Sequence, residues 1–170
     1  HLVISTLHTN SAAGAIPRLL DMHAEPFLLA STLNLIVAQR LVRKLHTGKE
    51  KYTLSETELQ KLGKEISLDR VLQFLHAGKV VNPKAGWKDV PFYHPKPSDG
   101  APDGYFDRIG IHEVMGISEA IRRMIVGEAT SADIETQAKK EGMMTMIESG
   151  IVKAARGLTT IEEVLRVTRE

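Results

Sequence analysis

Two imidazoles open the chain in His1-Leu2-Val3-Ile4-Ser5-Thr6-Leu7-His8-Thr9-Asn10. Histidine changes protonation near neutral pH, and either ring can donate to a phosphate oxygen or hold a water in place. Leu2 to Leu7 is a short apolar, β-branched run of the sort that fills a buried strand. Thr6 and His8 would then stand at the strand's carboxyl end, where open α/β sheets bind their ligands. On spacing alone, a surface histidine followed by a helix cap at Asn10 or Ser11 is the more economical reading.

Other chemistry can be tested against spacing in the same way. A phosphate-binding loop needs Gly-x-x-x-x-Gly-Lys-Ser/Thr, so that backbone amides and an ammonium cradle the phosphates. Gly48-Lys49, Gly63-Lys64 and Gly78-Lys79 all fail it. Five positions before those glycines stand Arg43, Glu58 and Gln73, and Glu50, Glu65 and Val80 follow the lysines. His112-Glu113 would need a second zinc ligand at Gly116, and a strand there sends the two side chains to opposite faces. His46, His76 and His94 are widely spaced and lack acidic partners, which is the pattern of surface histidines. There is no Gly-x-Ser-x-Gly elbow, and the absence of cysteine excludes thiol nucleophiles, disulfides and thiolate metal sites.

The composition sets further bounds. The 170 residues hold 22 Lys+Arg against 21 Asp+Glu with 42% apolar side chains, which fits one or two small globular domains and offers no basic field for nucleic acid. No apolar run nears the roughly 18 residues of a membrane span, and nothing reads as a signal peptide, so the expectation is a soluble cytoplasmic chain. Opening on His1 rather than Met, it reads as a piece of something longer.

The elements that must position these groups follow from periodicity and capping. Ala12 to Met22 has helical spacing with Ile16, Leu19 and Leu20 on one face, and a second helix begins at Pro26 and runs through Leu33. Leu35 to Leu45 reads as a strand buried on both faces at its start and exposed later. Ser55-Glu56-Thr57-Glu58 is a capping box opening a helix to about Lys64. Another helix follows Ser67, with Leu68, Val71, Leu72 and Leu75 on one side until Gly78. Five of the seven prolines and seven of the eight aromatics lie between Tyr52 and Phe106, so residues 47–104 read as an insert whose second half, Val80 to Asp103, cannot form a long regular element. Tyr105 to Met115 is strand-like. Four helices follow it: one capped by Ser118 and ended by Gly127, one opened by Thr130 and ended by Gly142, one over Met144 to Arg156, and one opened by Thr159-Thr160.

The order of these segments resembles a known family. The run from His1 to Asn10, followed by Ala15-Ile16-Pro17-Arg18-Leu19-Leu20-Asp21-Met22, closely resembles the histidine box of the hexameric ATPases of type II secretion and type IV pilus assembly. The likeness continues in Glu25 to Leu33, in Val37-Ala38-Gln39-Arg40-Leu41-Val42-Arg43, in Gly104 to Val114 and in Gly157 to Thr168. It implies an α/β fold: the C-terminal strands and helices of a RecA-like P-loop core over 1–46, the family's metal-binding insert over 47–104, and a closing strand with a small helical module over 105–170. It places the phosphate loop and the acidic metal-binding box upstream of His1. It also implies that His8 senses or polarises the γ-phosphate or the attacking water, that His1 supports it, and that Thr6 and Thr9 orient the strand end. Arg18 and Arg40 match family positions as nucleotide contacts, with surface or intersubunit ion pairs as their equally good alternative.

One departure stands out. Many assembly-type members carry two Cys-x-x-Cys pairs that hold a structural zinc; here those places read His46-Thr47-Gly48-Lys49 and His94-Pro95-Lys96-Pro97-Ser98-Asp99. No zinc is expected, and the insert must be held by packing from Phe74, Trp87, Phe92 and Tyr93. The resemblance further implies ATP and magnesium in the longer protein, a homo-hexamer, inner-membrane platform and accessory proteins as partners, and a cytoplasmic location peripheral to the inner membrane. Without a phosphate loop the chain alone should be inactive. The alternative from another class is a non-catalytic module that docks on neighbouring subunits or on the platform protein; a nucleic-acid-binding relative of the conjugation ATPases is disfavoured by the charge.

Overall fold

The computed structural model describes residues His1–Arg169, a mixed α/β arrangement in two compact units. The first unit comprises residues 1–39 and 112–145, the second residues 40–111 and those from Met146 onward.

In the first unit, α1 (Ala15–Asp21) and α2 (Pro26–Thr32) precede the start of β1 (Leu35–Leu45), and α5 (Glu119–Val126) and α6 (Ser131–Lys140) follow the end of β4 (Tyr105–Gly116). Pro26 opens α2 at a position where its missing N–H costs nothing. Ser118 Oγ accepts the Ile121 amide and Thr130 Oγ1 the Asp133 amide, so both later helices begin on hydroxyl caps, as their sequences predict. Ile16, Leu29, Met115, Ile121, Ile125 and Ile134 form the core. The Arg122 guanidinium donates to the Ala30 carbonyl and reaches Asn34 Oδ1 at 3.4 Å, tying α5 to the end of α2.

In the second unit, β2 (Lys49–Tyr52) pairs antiparallel with β3 (Phe92–Pro95), Lys49 opposite Pro95 and Tyr52 opposite Phe92. Between them lie α3 (Glu56–Leu62), α4 (Leu68–Ala77) and a single 3-10 turn at Trp87–Asp89. The capping box at α3 is complete: Ser55 Oγ accepts the Glu58 amide, and the Glu58 carboxylate accepts the Ser55 amide at 2.8 Å. The remaining helices are α7 (Met146–Ala155) and α8 (Ile161–Thr168), which close on each other where Gly150 lets Val164 approach the backbone. Val42, Val71, Leu75, Phe92, Ile111 and Ile151 are buried. Strand β1 pairs with β4, and each of these strands runs through both units.

Three expectations are corrected. Residues Leu2–Leu7 form no strand: Leu2, Val3 and Ile4 are more than four-fifths exposed, because among the described residues no backbone supplies the ladder that a strand needs. Burial along β1 runs opposite to the expected order, with Leu35, Val37 and Leu41 exposed and Val42 and Leu45 buried. The β2–β3 ladder falls where no strand is expected, since Lys49-Glu50-Lys51-Tyr52 carries no apolar alternation.

Packing is only part of what holds the insert. His46 Nδ1 and Ser98 Oγ share a hydrogen bond of 2.9 Å, and the Lys96 amide donates to the Gly48 carbonyl at 3.1 Å. His94 stacks on Tyr52 with ring centroids 3.9 Å apart. Lys49 Nζ donates to the Gly157 carbonyl at 2.6 Å and lies over the Tyr93 ring, fastening β2 to the left-handed turn that ends α7. Of the four aromatics expected in this role, Phe92 is buried and Phe74, Trp87 and Tyr93 are half-buried.

Candidate functional site

His1, Thr6 and His8 lie together on the irregular segment that opens the chain, all three exposed, and none makes a hydrogen bond or ion pair with another described residue. Their donors and acceptors are therefore available to a ligand. Thr9 is different: half-buried, it donates from Oγ1 to the Ser11 carbonyl at 3.1 Å, while Ser11 Oγ accepts the Gly14 amide at 3.1 Å. These contacts turn the chain from the histidine segment into α1. Residues 1–10 contain no carboxylate, so this stretch offers magnesium no charged oxygen ligand.

The turn is anchored from outside. The Ala12 amide donates to Glu113 Oε1 at 2.8 Å, and Glu113 is 4% exposed. Sequence reasoning weighs Glu113 only as a metal ligand and discards it. The signal for its actual place is parity, because Ile111, Glu113 and Met115 fall on one face of β4 and all three are buried.

Arg18 is exposed on α1, in the same unit as the histidine segment. Arg40 lies on β1 in the second unit, where it lines a groove of about 340 Å³ with Arg43, Arg108, Glu163 and Arg166. The groove's organiser is Glu163, a buried carboxylate on α8. Arg43 donates to it from Nε at 3.1 Å, Nη2 at 3.0 Å and its backbone amide at 3.2 Å, and Arg166 donates from Nη2 at 2.7 Å and Nε at 3.2 Å. Burial by itself would raise the Glu163 pKa, but the hydrogen bonds from Arg166 and Arg43 outweigh it and bring the pKa down to about 2. The same pairing raises the Arg43 pKa. Arg43 also reaches Asp103 Oδ2 at 3.0 Å and stacks over the Tyr105 ring, its guanidinium carbon 4.2 Å from the ring centre. Thr159 Oγ1 closes the set on the Arg43 carbonyl at 2.8 Å. Sequence reasoning passes over Glu163, whose partner Arg43 on β1 lies 120 residues away, and over Arg166, which meets Glu163 from one turn further along α8.

His46 Nδ1 is bonded to Ser98 and His94 is stacked on Tyr52. Among the described residues no cluster of three or more His, Asp or Glu side chains is arranged to hold a metal ion, and no helix is long and apolar enough to cross a membrane.

A family model described as "Type II/IV secretion system protein" matches residues 1–166. The whole chain aligns with the type II secretion system protein E of Xanthomonas campestris pv. campestris at 45% identity, covering 27% of that protein. It aligns over its whole length with the type IV pilus assembly ATPase PilB of Pseudomonas aeruginosa at 41% identity, again covering 27% of the relative. A third relative is the type II secretion system ATPase E of Vibrio cholerae, 36% identical over the whole chain, which covers 30% of it. The chain thus spans less than a third of the length of each of these relatives.

Proposed function

The chain belongs to the type II/IV secretion system protein family, and from that premise we propose that it is the C-terminal part of a motor ATPase powering type II secretion or type IV pilus assembly. Its first residues belong to a RecA-like core whose phosphate loop and acidic metal-binding box lie in the rest of the polypeptide, and its last helices form a module appended to that core. The observation that carries this reading is the match of residues 1–166 to a family in which relatives more than three times the length are named ATPases. The exposed apolar run Leu2-Val3-Ile4 supports it, since such a run finds its ladder and its cover in a neighbouring sheet.

In this reading His8 donates to a γ-phosphate oxygen of ATP or polarises the attacking water, and His1 supports it from the other end of the strand. Thr6 and Thr9 orient the strand end, and Arg18 and Arg40 reach nucleotide across the assembled protein. Phosphoryl transfer asks the protein chiefly for positioning and charge stabilisation, which free imidazoles at a strand end can supply. Magnesium would neutralise phosphate charge, held by carboxylates outside residues 1–10. The working protein is a homo-hexamer on the cytoplasmic face of the inner membrane, docked on the platform and accessory proteins of its machinery. No zinc is required, because the insert's two loops are held by the His46–Ser98 hydrogen bond and the β2–β3 ladder.

The test is His8→Ala in the full-length enzyme. Loss of one donor aimed at transition-state charge lowers turnover by about a hundredfold, with modest change in nucleotide affinity. Unchanged turnover would remove the catalytic assignment and leave the chain a docking module. Mg-ATP titrated into residues 1–170 alone should show no tight binding; tight binding would contradict the placement of the phosphate loop elsewhere.

A further inference from the structure

Glu113 is a carboxylate in an otherwise apolar core, flanked along β4 by Ile111 and Met115, both at 0% exposure. Burying a carboxylate costs far more than burying an isosteric apolar side chain, so a position of this kind that served packing alone would be better filled without charge. Its Oε1 accepts the amide of Ala12, a residue at 0% exposure and 101 positions away in sequence. That amide stands at a decisive place. The Ala12 carbonyl accepts the Ala15 amide at 3.2 Å and the Ala13 carbonyl accepts the Ile16 amide at 3.3 Å, so residues 12 and 13 form the first turn of the path into α1. The residue before α1, Gly14, offers no side chain to cap it. Ser11 Oγ holds the Gly14 amide locally, and the Glu113 carboxylate on β4 adds a fixed point at Ala12 from outside the helix's own sequence.

Upstream of the clamp, the span to His8 is short. Four residues, even fully extended, reach at most about 14 Å, and the Thr9–Ser11 hydrogen bond shortens that reach. Where Ala12 sits decides where His8 can be.

We propose that Glu113 is a positioning residue for His8: by holding the Ala12 amide it sets where the imidazole stands relative to the nucleotide's terminal phosphate. This rests on the γ-phosphate reading of His8 given above. A displacement of about 1 Å at a reacting group is enough to cost two orders of magnitude in rate, so a clamp four residues away controls turnover without touching substrate.

The experiment is a double-mutant cycle in the full-length enzyme, with kcat and KM for ATP measured for Glu113→Ala, Glu113→Gln, His8→Ala and Glu113→Ala/His8→Ala, alongside the assembled mass of each. Glu113→Ala is expected to lower kcat by about tenfold or more at unchanged KM and unchanged assembly. Glu113→Gln keeps an oxygen that accepts the Ala12 amide and restores kcat to within about threefold of the parent. The double variant is expected to be no slower than His8→Ala, because a clamp has nothing left to position once the imidazole is gone. A double variant whose loss is the product of the two single losses overturns the proposal, as does a Glu113→Ala enzyme with undiminished kcat. Should Glu113→Ala fail to assemble, Glu113→Asp, which keeps the charge and withdraws it by one methylene, takes its place in the cycle, and the same two results would overturn the proposal. If His8→Ala alone leaves turnover intact, the γ-phosphate reading is what has failed, and this proposal falls with it.

Discussion

Neutralising Glu163 should uncouple α8 from β1 in a way that depends on pH. The carboxylate is 2% exposed and takes hydrogen bonds from the guanidiniums of Arg43 and Arg166 and from the Arg43 amide. Its folded pKa, about 2, lies below the ordinary 4.5. A group depressed on folding adds stability above its unfolded pKa and loses it as pH falls through the folded one. The contribution is thus complete at neutral pH, declines below about 4.5, and is gone near 2. The size of the depression corresponds to about 3 kcal/mol, in line with the cost of breaking a buried ion pair from one side. Glu163→Gln keeps the shape and removes the charge. The assay is urea unfolding followed by the fluorescence of Trp87, the chain's one tryptophan, which lies in the same unit as Glu163. The parent should exceed the variant by about 3 kcal/mol at neutral pH, with the gap closing as pH approaches 2. An equal gap at both ends of that range would refute the reasoning, because the lost stability would then be packing rather than charge.

Three further outcomes follow from the second unit. At Gly150 an added Cβ would press on both Val164 methyls, Cγ2 at 2.8 Å, so Gly150→Ala should destabilise the α7–α8 pair by about 1–3 kcal/mol, read as a lower midpoint in the same urea titration. Elemental analysis of the purified protein should find substoichiometric zinc, and a chelator should leave the unfolding transition in place; one zinc per chain would defeat the metal-free account of the insert. His46→Ala, by contrast, should lower stability by about 1 kcal/mol through loss of the bond to Ser98, measured by the same titration.

What can be read from sequence divides along the distance between partners. Helix starts are legible because the cap and the amide it satisfies lie three residues apart: Ser55 with Glu58, Ser118 with Ile121, Thr130 with Asp133. The stop at Gly78 is legible for the same reason. The β2–β3 ladder is not, because its register joins Lys49 to Pro95 and its strands carry no alternation to announce a buried face. Burial along β1 is inverted because its sequence shows alternating apolar residues without showing which end the helices cover. The site divides similarly. The histidine segment can be found from residue type and resemblance, while the clamp on Ala12 and the groove around Arg40 depend on contacts across more than a hundred residues.

Glu163 shows why a local rule cannot settle such a case. It stands three residues after Thr160, the spacing at which Glu58 follows Ser55, and both hydroxyls accept the amide of their glutamate. At Ser55 the box closes, since the Glu58 carboxylate is exposed and returns to the Ser55 amide and hydroxyl. At Thr160 the carboxylate is buried, and two guanidiniums compete for it. Charge-assisted hydrogen bonds away from water are about twice as strong as neutral ones, so Glu163 turns from its own cap toward Arg43 and Arg166. The same four-residue signature therefore produces a helix cap where solvent is near and a long-range ion-pair hub where it is not, and only burial, which the tertiary fold sets, decides between them.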